Sequence, residues 1–242
     1  MSESDERIIR LVGRMTYVTP ELVCRRFYSK RTMTYVQARL KELVTSNVLV
    51  RRGWSPGLGG GSRPYVYSLA PRTRSRLVAS GVLPKARYRP SEDKATKQYP
   101  AHTLDVNEVL VTAELTPSFA SFIHERTIQR FVIPYKPDAY IQFDRPGKPY
   151  GMLVEVDRDT EDVSFWQNKI ESLVEFVNSD AYDNFFPHFD GVLIVGLGEA
   201  RTTRLHAWTT STLTRLNIDG EGMFHYLTLA QAKDPEAFTH IL

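Results

Sequence analysis

The run Pro137 to Asp157, PDAYIQFDRPGKPYGMLVEVD, narrows the possible folds more than any other part of the chain. It reads as two strands and a tight turn. Tyr140, Ile141 and Phe143 stand in the first strand. Tyr150 to Asp157 form the second, and Asp144-Arg145-Pro146-Gly147-Lys148-Pro149 lies between them with the Pro and Gly chemistry of a hairpin loop. Successive side chains of a strand point to opposite faces. Met152, Val154 and Val156 therefore share one face, and Leu153, Glu155 and Asp157 share the other. With the turn centred between Pro146 and Gly147, Asp138 falls opposite Glu155. Their Cβ atoms would then be about 4.5 to 5.5 Å apart, with Asp157 one pleat further along.

Like charges directly opposed destabilise a sheet. A divalent cation, a proton or a basic neighbour would offset that cost, and Mg²⁺ is a hard cation that prefers such oxygen ligands. The other reading of the same spacing is a surface hairpin whose acids face water. Both stay open at the level of spacing.

Pro137-Asp138, followed after a hairpin by Glu155-Val156-Asp157, resembles the core of the PD-(D/E)XK nuclease superfamily. The resemblance implies that Asp138 and Glu155 bind Mg²⁺ and that a Lys two residues after the Glu helps activate water. Asp157 occupies that Lys position here. The longer run also resembles the replication-relaxation family of bacterial plasmids and mobile elements. That family has an N-terminal helix-turn-helix region, a His and an Asn-Glu segment, then PDA and E-V-D-R-x-T. The counterparts are His102, Asn107-Glu108, Pro137-Asp138-Ala139 and Glu155-Val156-Asp157-Arg158-Asp159-Thr160.

Composition divides the chain. Residues 1 to 97 carry 20 Lys and Arg against 7 Asp and Glu, a balance of +13, whereas residues 98 to 242 carry 11 against 21, a balance of −10. A basic half joined to an acidic half implies a nucleic-acid-binding domain and a second domain with another role. No apolar run approaches the ~20 residues of a membrane helix, so no membrane partner is expected. The N-terminus, MSESDERIIR, lacks a signal peptide's apolar core. Cys24 is the sole cysteine, which excludes an internal disulfide and a CxxC zinc site and suits a reducing cytoplasm.

In the basic half, Ile8, Ile9, Leu11, Val12 and Met15 recur at helical spacing. Thr19-Pro20 reads as an N-cap with Pro at the first helical position, opening a second helix to about Tyr28. Cys24 in that helix reads as a packing residue. A third helix spans about Lys30 to Ser46, with Met33, Val36, Leu40, Leu43 and Val44 as its apolar stripe. Its outward residues are Arg31, Thr34, Tyr35, Ala38 and Lys41. Strands at Val48 to Trp54 and Pro64 to Leu69 flank a glycine-rich loop that lacks the Gly-Lys-Ser/Thr ending of a P-loop. Three helices and a hairpin make a winged helix-turn-helix. Its third helix would enter the major groove, and Arg51, Arg52 and Arg63 would contact phosphates or the minor groove. A fourth helix, Pro71 to Ser80, follows. Residues 84 to 100, with three prolines, read as a linker between a DNA-binding domain at 1–83 and a nuclease-like domain at 101–242.

In the acidic half, His102 to Leu115 reads as a helix, and Glu108 on it is either a further metal ligand, as the superfamily resembled implies, or a solvated Glu on an amphipathic helix. Phe122 to Val132 reads as a strand. Val163, Trp166, Ile170, Leu173 and Val177 recur at helical intervals, placing Lys169 at the border of their stripe. Lys169 is either a surface lysine or a cation reaching back to the carboxylates in place of the missing Lys. Gly191 to Leu197 is a continuous apolar run, as in a buried central strand, and the Gly196-x-Gly198 at its end reads as a turn. Arg204 to Trp208 and Phe224 to Leu227 read as short strands. The expected fold is α+β in two domains: a winged helix-turn-helix, then an α/β PD-(D/E)XK-like core with a mixed central sheet flanked by helices.

Two functions follow. One is a Mg²⁺-dependent endonuclease using Asp138, Glu155, Asp157 and Lys169. The preferred one is a double-stranded DNA-binding protein of a plasmid or mobile element, acting in replication, mobilisation or its regulation. Its nuclease-like body would then be a non-catalytic platform for homodimerisation or partner binding. A carboxylate at the Lys position argues against the enzyme, because it repels a phosphodiester unless a metal neutralises it.

Overall fold

The computed structural model describes residues 2–28, 33–53, 65–83 and 99–242, with backbone alone at 99 and 100. Arg31, the whole glycine-rich loop with Arg63, and nearly all of the expected linker lie outside the described residues. The chain divides into two compact units, Met1–Asn107 and Glu108–Leu242.

The first unit opens with α1 (Glu3–Met15), α2 (Pro20–Phe27) and α3 (Met33–Thr45), followed by β1 (Leu49–Gly53), β2 (Tyr65–Leu69) and α4 (Pro71–Ala79). The starts of α1 and α2 are encoded locally. Ser2 and Asp5 form a reciprocal capping box on α1, and the Thr19 hydroxyl accepts from the Leu22 N–H with Pro20 at the first position of α2. β1 and β2 pair antiparallel from Leu49↔Leu69 to Gly53↔Tyr65. Val18 adds a single antiparallel bridge to Tyr67, exchanging N–H···O bonds of 3.0 and 2.9 Å. Buried Asn107 donates to the carbonyls of Met15 (2.9 Å) and Tyr17 (2.8 Å), satisfying acceptors at the end of α1.

α5 (Tyr99–Glu114) carries the boundary between the units. Then come β3 (Phe119–His124), α6 (Glu125–Ile128), β4 (Ala139–Arg145), β5 (Lys148–Asp157), α7 (Val163–Val177) and α8 (Asp180–Asp183). β6 (Gly191–Gly196), α9 (Glu199–Arg215), β7 (Phe224–Thr228) and α10 (Pro235–Ile241) complete the chain. The sheet order is β3-β4-β5-β6-β7, antiparallel through β5 and parallel from β5 to β7. This is the α+β architecture with a mixed sheet expected from the sequence. The helix, strand, hairpin, helix, strand order appears as α5, β3, β4–β5, α7 and β6.

The hairpin closes on two residues, Pro146 and Gly147. Arg145 pairs with Lys148, and Gly147 adopts φ +91°, which glycine reaches at little cost. The register runs from that turn to Ala139↔Val154 without a bulge. Tyr140 and Leu153 point into a core built with Val192 and Ile194 of β6, Trp166, Ile170 and Leu173 of α7, and Leu205 and Leu213 of α9. Buried Trp166 donates its indole N–H to Thr209 at 3.0 Å.

Besides the loop read at 144–149, of which only Pro146 and Gly147 lie outside the strands, two stretches depart from the sequence reading. The strand expected over Phe122 to Val132 stops at His124, whose Nδ1 accepts from the Arg126 N–H and caps α6. Arg204 to Trp208 is not a strand but part of α9, whose buried positions Leu205, Thr209, Thr212 and Leu213 follow helical spacing.

Candidate functional site

Asp138 lies one residue before Ala139↔Val154, the last pair of the ladder, and its charge is felt at Glu155. Its own N–H donates to the Val154 carbonyl at 3.0 Å, and its Oδ2 accepts from the Val156 N–H at 2.8 Å. Asp138 thus clasps the end of the ladder while placing a carboxylate beside Glu155. Glu155 and Asp157 share the face of Leu153, so both point at the α7–α9 layer rather than at water. They are 1% and 3% exposed.

Buried carboxylates require partners. Glu155 has two: the Tyr135 hydroxyl donates to Oε1, and the Lys169 ammonium stands 2.7 Å from Oε2. Lys169 also contacts Glu161 Oε1 at 3.1 Å and lies 5.2 Å from the Trp166 ring centroid. Burial pushes Glu155 up to about 7. The nearby Asp138 charge reinforces that rise, while Lys169 and the Tyr135 hydrogen bond oppose it. Burial favours the neutral form of Lys169, but the charges of Glu155, Asp138 and Glu161 outweigh it and raise the lysine above its ordinary value. Tyr135 is raised well above its ordinary value, by burial first and by the Glu155 charge second. At neutral pH the site therefore holds a protonated lysine, a neutral phenol and a carboxyl poised to titrate. A carboxylate oxygen of Glu125, the first residue of α6, lies within 4.8 Å of one of Asp138, and Arg126 Nε stands 3.5 Å from Glu125.

Asp157 turns to a different partner. Its Oδ1 accepts from Arg201 Nε and from the Asp159 N–H at 2.7 Å, while its buried Oδ2 has no hydrogen-bond partner among the described residues. Arg201, itself 5% exposed, also donates to the Glu161 carbonyl at 2.7 Å and stacks 4.9 Å from the Trp208 ring. Asp159, at φ +63°, is held by Arg201 at 3.3 Å and by Arg204 at 2.7 Å. One arginine from α9 thereby shapes the whole β5–α7 loop and presents Glu161 to Lys169.

The acids have the right chemistry for a hard cation, which takes oxygen ligands at about 2.0 to 2.6 Å. Among the described residues, however, Asp138, Glu155, Asp157 and Glu108 do not form a group of three whose ligating atoms all lie within 4.8 Å of one another. Glu155 would have to yield Tyr135 or Lys169 to coordinate a metal. Asp157 would have to yield Arg201. Glu108 is half-buried on α5.

On the first unit, Thr34, Tyr35 and Lys41 are exposed on α3, and Arg51 and Arg52 are exposed on β1. Arg51 stacks 4.4 Å from the Tyr65 ring centroid. Four residues at these sites carry no local sequence signal for their roles. Tyr135 and Glu125 sit in a stretch read as strand and loop, Arg201 is 44 residues from its partner Asp157, and Arg39 faces inward to Asp5.

No curated protein matches the chain. Among solved structures, restriction endonuclease FokI is similar at 13% identity and a TM-score of 0.39, covering 98% of this chain and 45% of that one. FokI bound to DNA is similar at 14% identity and a TM-score of 0.34, covering 99% of this chain and 45% of that one. The chain therefore spans less than half the length of either. The family described as replication-relaxation matches residues 9–189, a span that includes His102, Asn107-Glu108, Pro137-Asp138-Ala139 and Glu155 to Thr160. On that match, the chain belongs to the replication-relaxation family.

Proposed function

We propose that this protein binds double-stranded DNA in the replication or mobilisation of a plasmid or mobile element, with a winged-helix reader in its first unit and a non-catalytic nuclease-like body in its second. The observation that carries the reading is the division of charge. Lys41, Arg51 and Arg52 are exposed in a segment whose balance is +13, while the buried acids of the body are already answered by Lys169 and Arg201. A cationic surface gains affinity for duplex DNA by releasing condensed counterions. A carboxylate already paired inside the protein has little left to offer a phosphate-bound metal.

A second reading rests on Lys169. Its ammonium, 2.7 Å from Glu155, supplies the cation that the residue at 157 does not. In that reading Asp138 and Glu155 would hold Mg²⁺, which when bound polarises a phosphate and lowers the pKa of water. Lys169 would place its charge against the phosphodiester, and Tyr135 would orient Glu155.

Incubating the protein with supercoiled and linear DNA, with Mg²⁺ or Mn²⁺ and with chelator, separates the two. The first reading expects binding without cutting, retained in Asp138→Ala and Glu155→Ala. Metal-dependent cutting that disappears in both variants and in Lys169→Ala would replace it with the second.

A further inference from the structure

We infer that Gln37 is the base-reading group of α3 and that it reads the adenine of an A·T pair, with Thr34 and Ala38 against neighbouring thymine methyls. The inference rests on the proposal that α3 meets duplex DNA. α3 buries Val36, Leu40 and Leu43, and exposes Thr34, Tyr35, Gln37, Ala38, Lys41 and Glu42. The one arginine on the described helix is withdrawn from the exposed face. Arg39 donates through Nε (3.1 Å) and Nη2 to the buried carboxylate of Asp5, and through Nη1 to Glu42. Burial alone would raise Asp5, but Arg39 and Ser2 hold it below its ordinary value, so the anchor stays ionised at neutral pH. This ion pair ties α3 to α1 and also occupies the Glu42 carboxylate, the one acid on the exposed face.

The remaining side chains divide by chemistry. Lys41 is a point charge suited to phosphate. Tyr35 stands edge-on to Tyr28 at 5.6 Å. Thr34 and Ala38, four residues apart, are short neighbours on one face that let the helix backbone approach base edges. Gln37 alone presents a donor and an acceptor in one planar amide. In the major groove, adenine offers the N6 amino group as donor and N7 as acceptor, so Gln37 Oε1 accepts from N6 and Nε2 donates to N7. Thr34 and Ala38 supply the methyl contacts that thymine C5 methyls favour.

The test is selection from random duplex DNA by the full-length protein, comparing wild type, Gln37→Ala and Lys41→Ala, with melting curves confirming that each folds. Wild type is expected to select sites with a defined A·T position. Gln37→Ala should lose discrimination there by about 5- to 150-fold while keeping its affinity for unselected DNA. Lys41→Ala should weaken binding to every sequence alike. An unchanged preference in Gln37→Ala, or a wild-type protein that binds duplex with no base preference, overturns the inference and leaves duplex binding standing. Absence of duplex binding at low salt overturns both.

Discussion

Glu155 sets the chemistry of the body. Its acidity is lowered by burial, from an ordinary 4.5 to about 7, so the folded protein binds a proton there that the unfolded chain has released. Stability contributed by the protonated form is complete below about 4.5 and is lost as pH rises through about 7. The unfolding free energy from urea denaturation should therefore fall across that window, by an amount on the order of 3 kcal/mol, and Glu155→Gln should remove most of the slope. A variant with the wild-type slope would place the titration elsewhere. Lys169→Met tests the same pair from the other side. At pH 8 it leaves an ionised carboxylate buried without its cation, a loss of about 3 to 5 kcal/mol, whereas at pH 5 the carboxyl is protonated and the loss is smaller. Equal destabilisation at the two values would show that Lys169 acts by packing alone. Arg201→Ala should cost about as much at pH 7, because it strands Asp157 with neither oxygen paired to a cation.

The elements show which features the sequence declares. The register of the β4–β5 hairpin was legible, because a turn centred between Pro146 and Gly147 fixes it, although the strands run closer to that turn than the loop read at 144–149. α7 was legible because Trp166, Ile170 and Leu173 repeat at helical spacing and all face the core. α9 was not. Its buried positions include Thr209 and Thr212, whose polarity and β-branching hide the helical period from a hydrophobicity pattern. β3 was overextended because no Pro or Gly interrupts Phe122 to Val132 at the point where His124 caps a helical turn. Arg201 was invisible for a different reason: its partners are on another element, and no local pattern announces a contact across the fold. The approach of α9 to β6 is itself testable. A Cβ at Gly196 would fall 2.4 Å from Thr202 Oγ1 and 2.9 Å from its backbone nitrogen, whereas a Cβ at Gly198 meets nothing within 4 Å. Gly196→Ala should destabilise by about 1 to 3 kcal/mol in chemical denaturation, and Gly198→Ala by less than about 0.5. Similar losses for both would mean that close packing is not the reason for glycine at 196.

Across the whole molecule, charge is sorted by unit. The basic segment exposes Lys41 on α3 and Arg51 and Arg52 on β1, while the acidic segment turns Glu155 and Asp157 inward and pairs them. If the first unit binds DNA as proposed, that contact and the integrity of the body should fail independently under mutation. The most direct measurement is duplex affinity of the full-length protein across a salt series, for wild type, Lys41→Ala and the double variant Asp138→Asn with Glu155→Gln. Affinity should fall steeply with salt for wild type. Lys41→Ala should reduce the slope of log affinity against log salt by about 1, and the double variant should leave affinity and slope unchanged. A flat salt dependence, or binding lost in the double variant and intact in Lys41→Ala, would contradict the account.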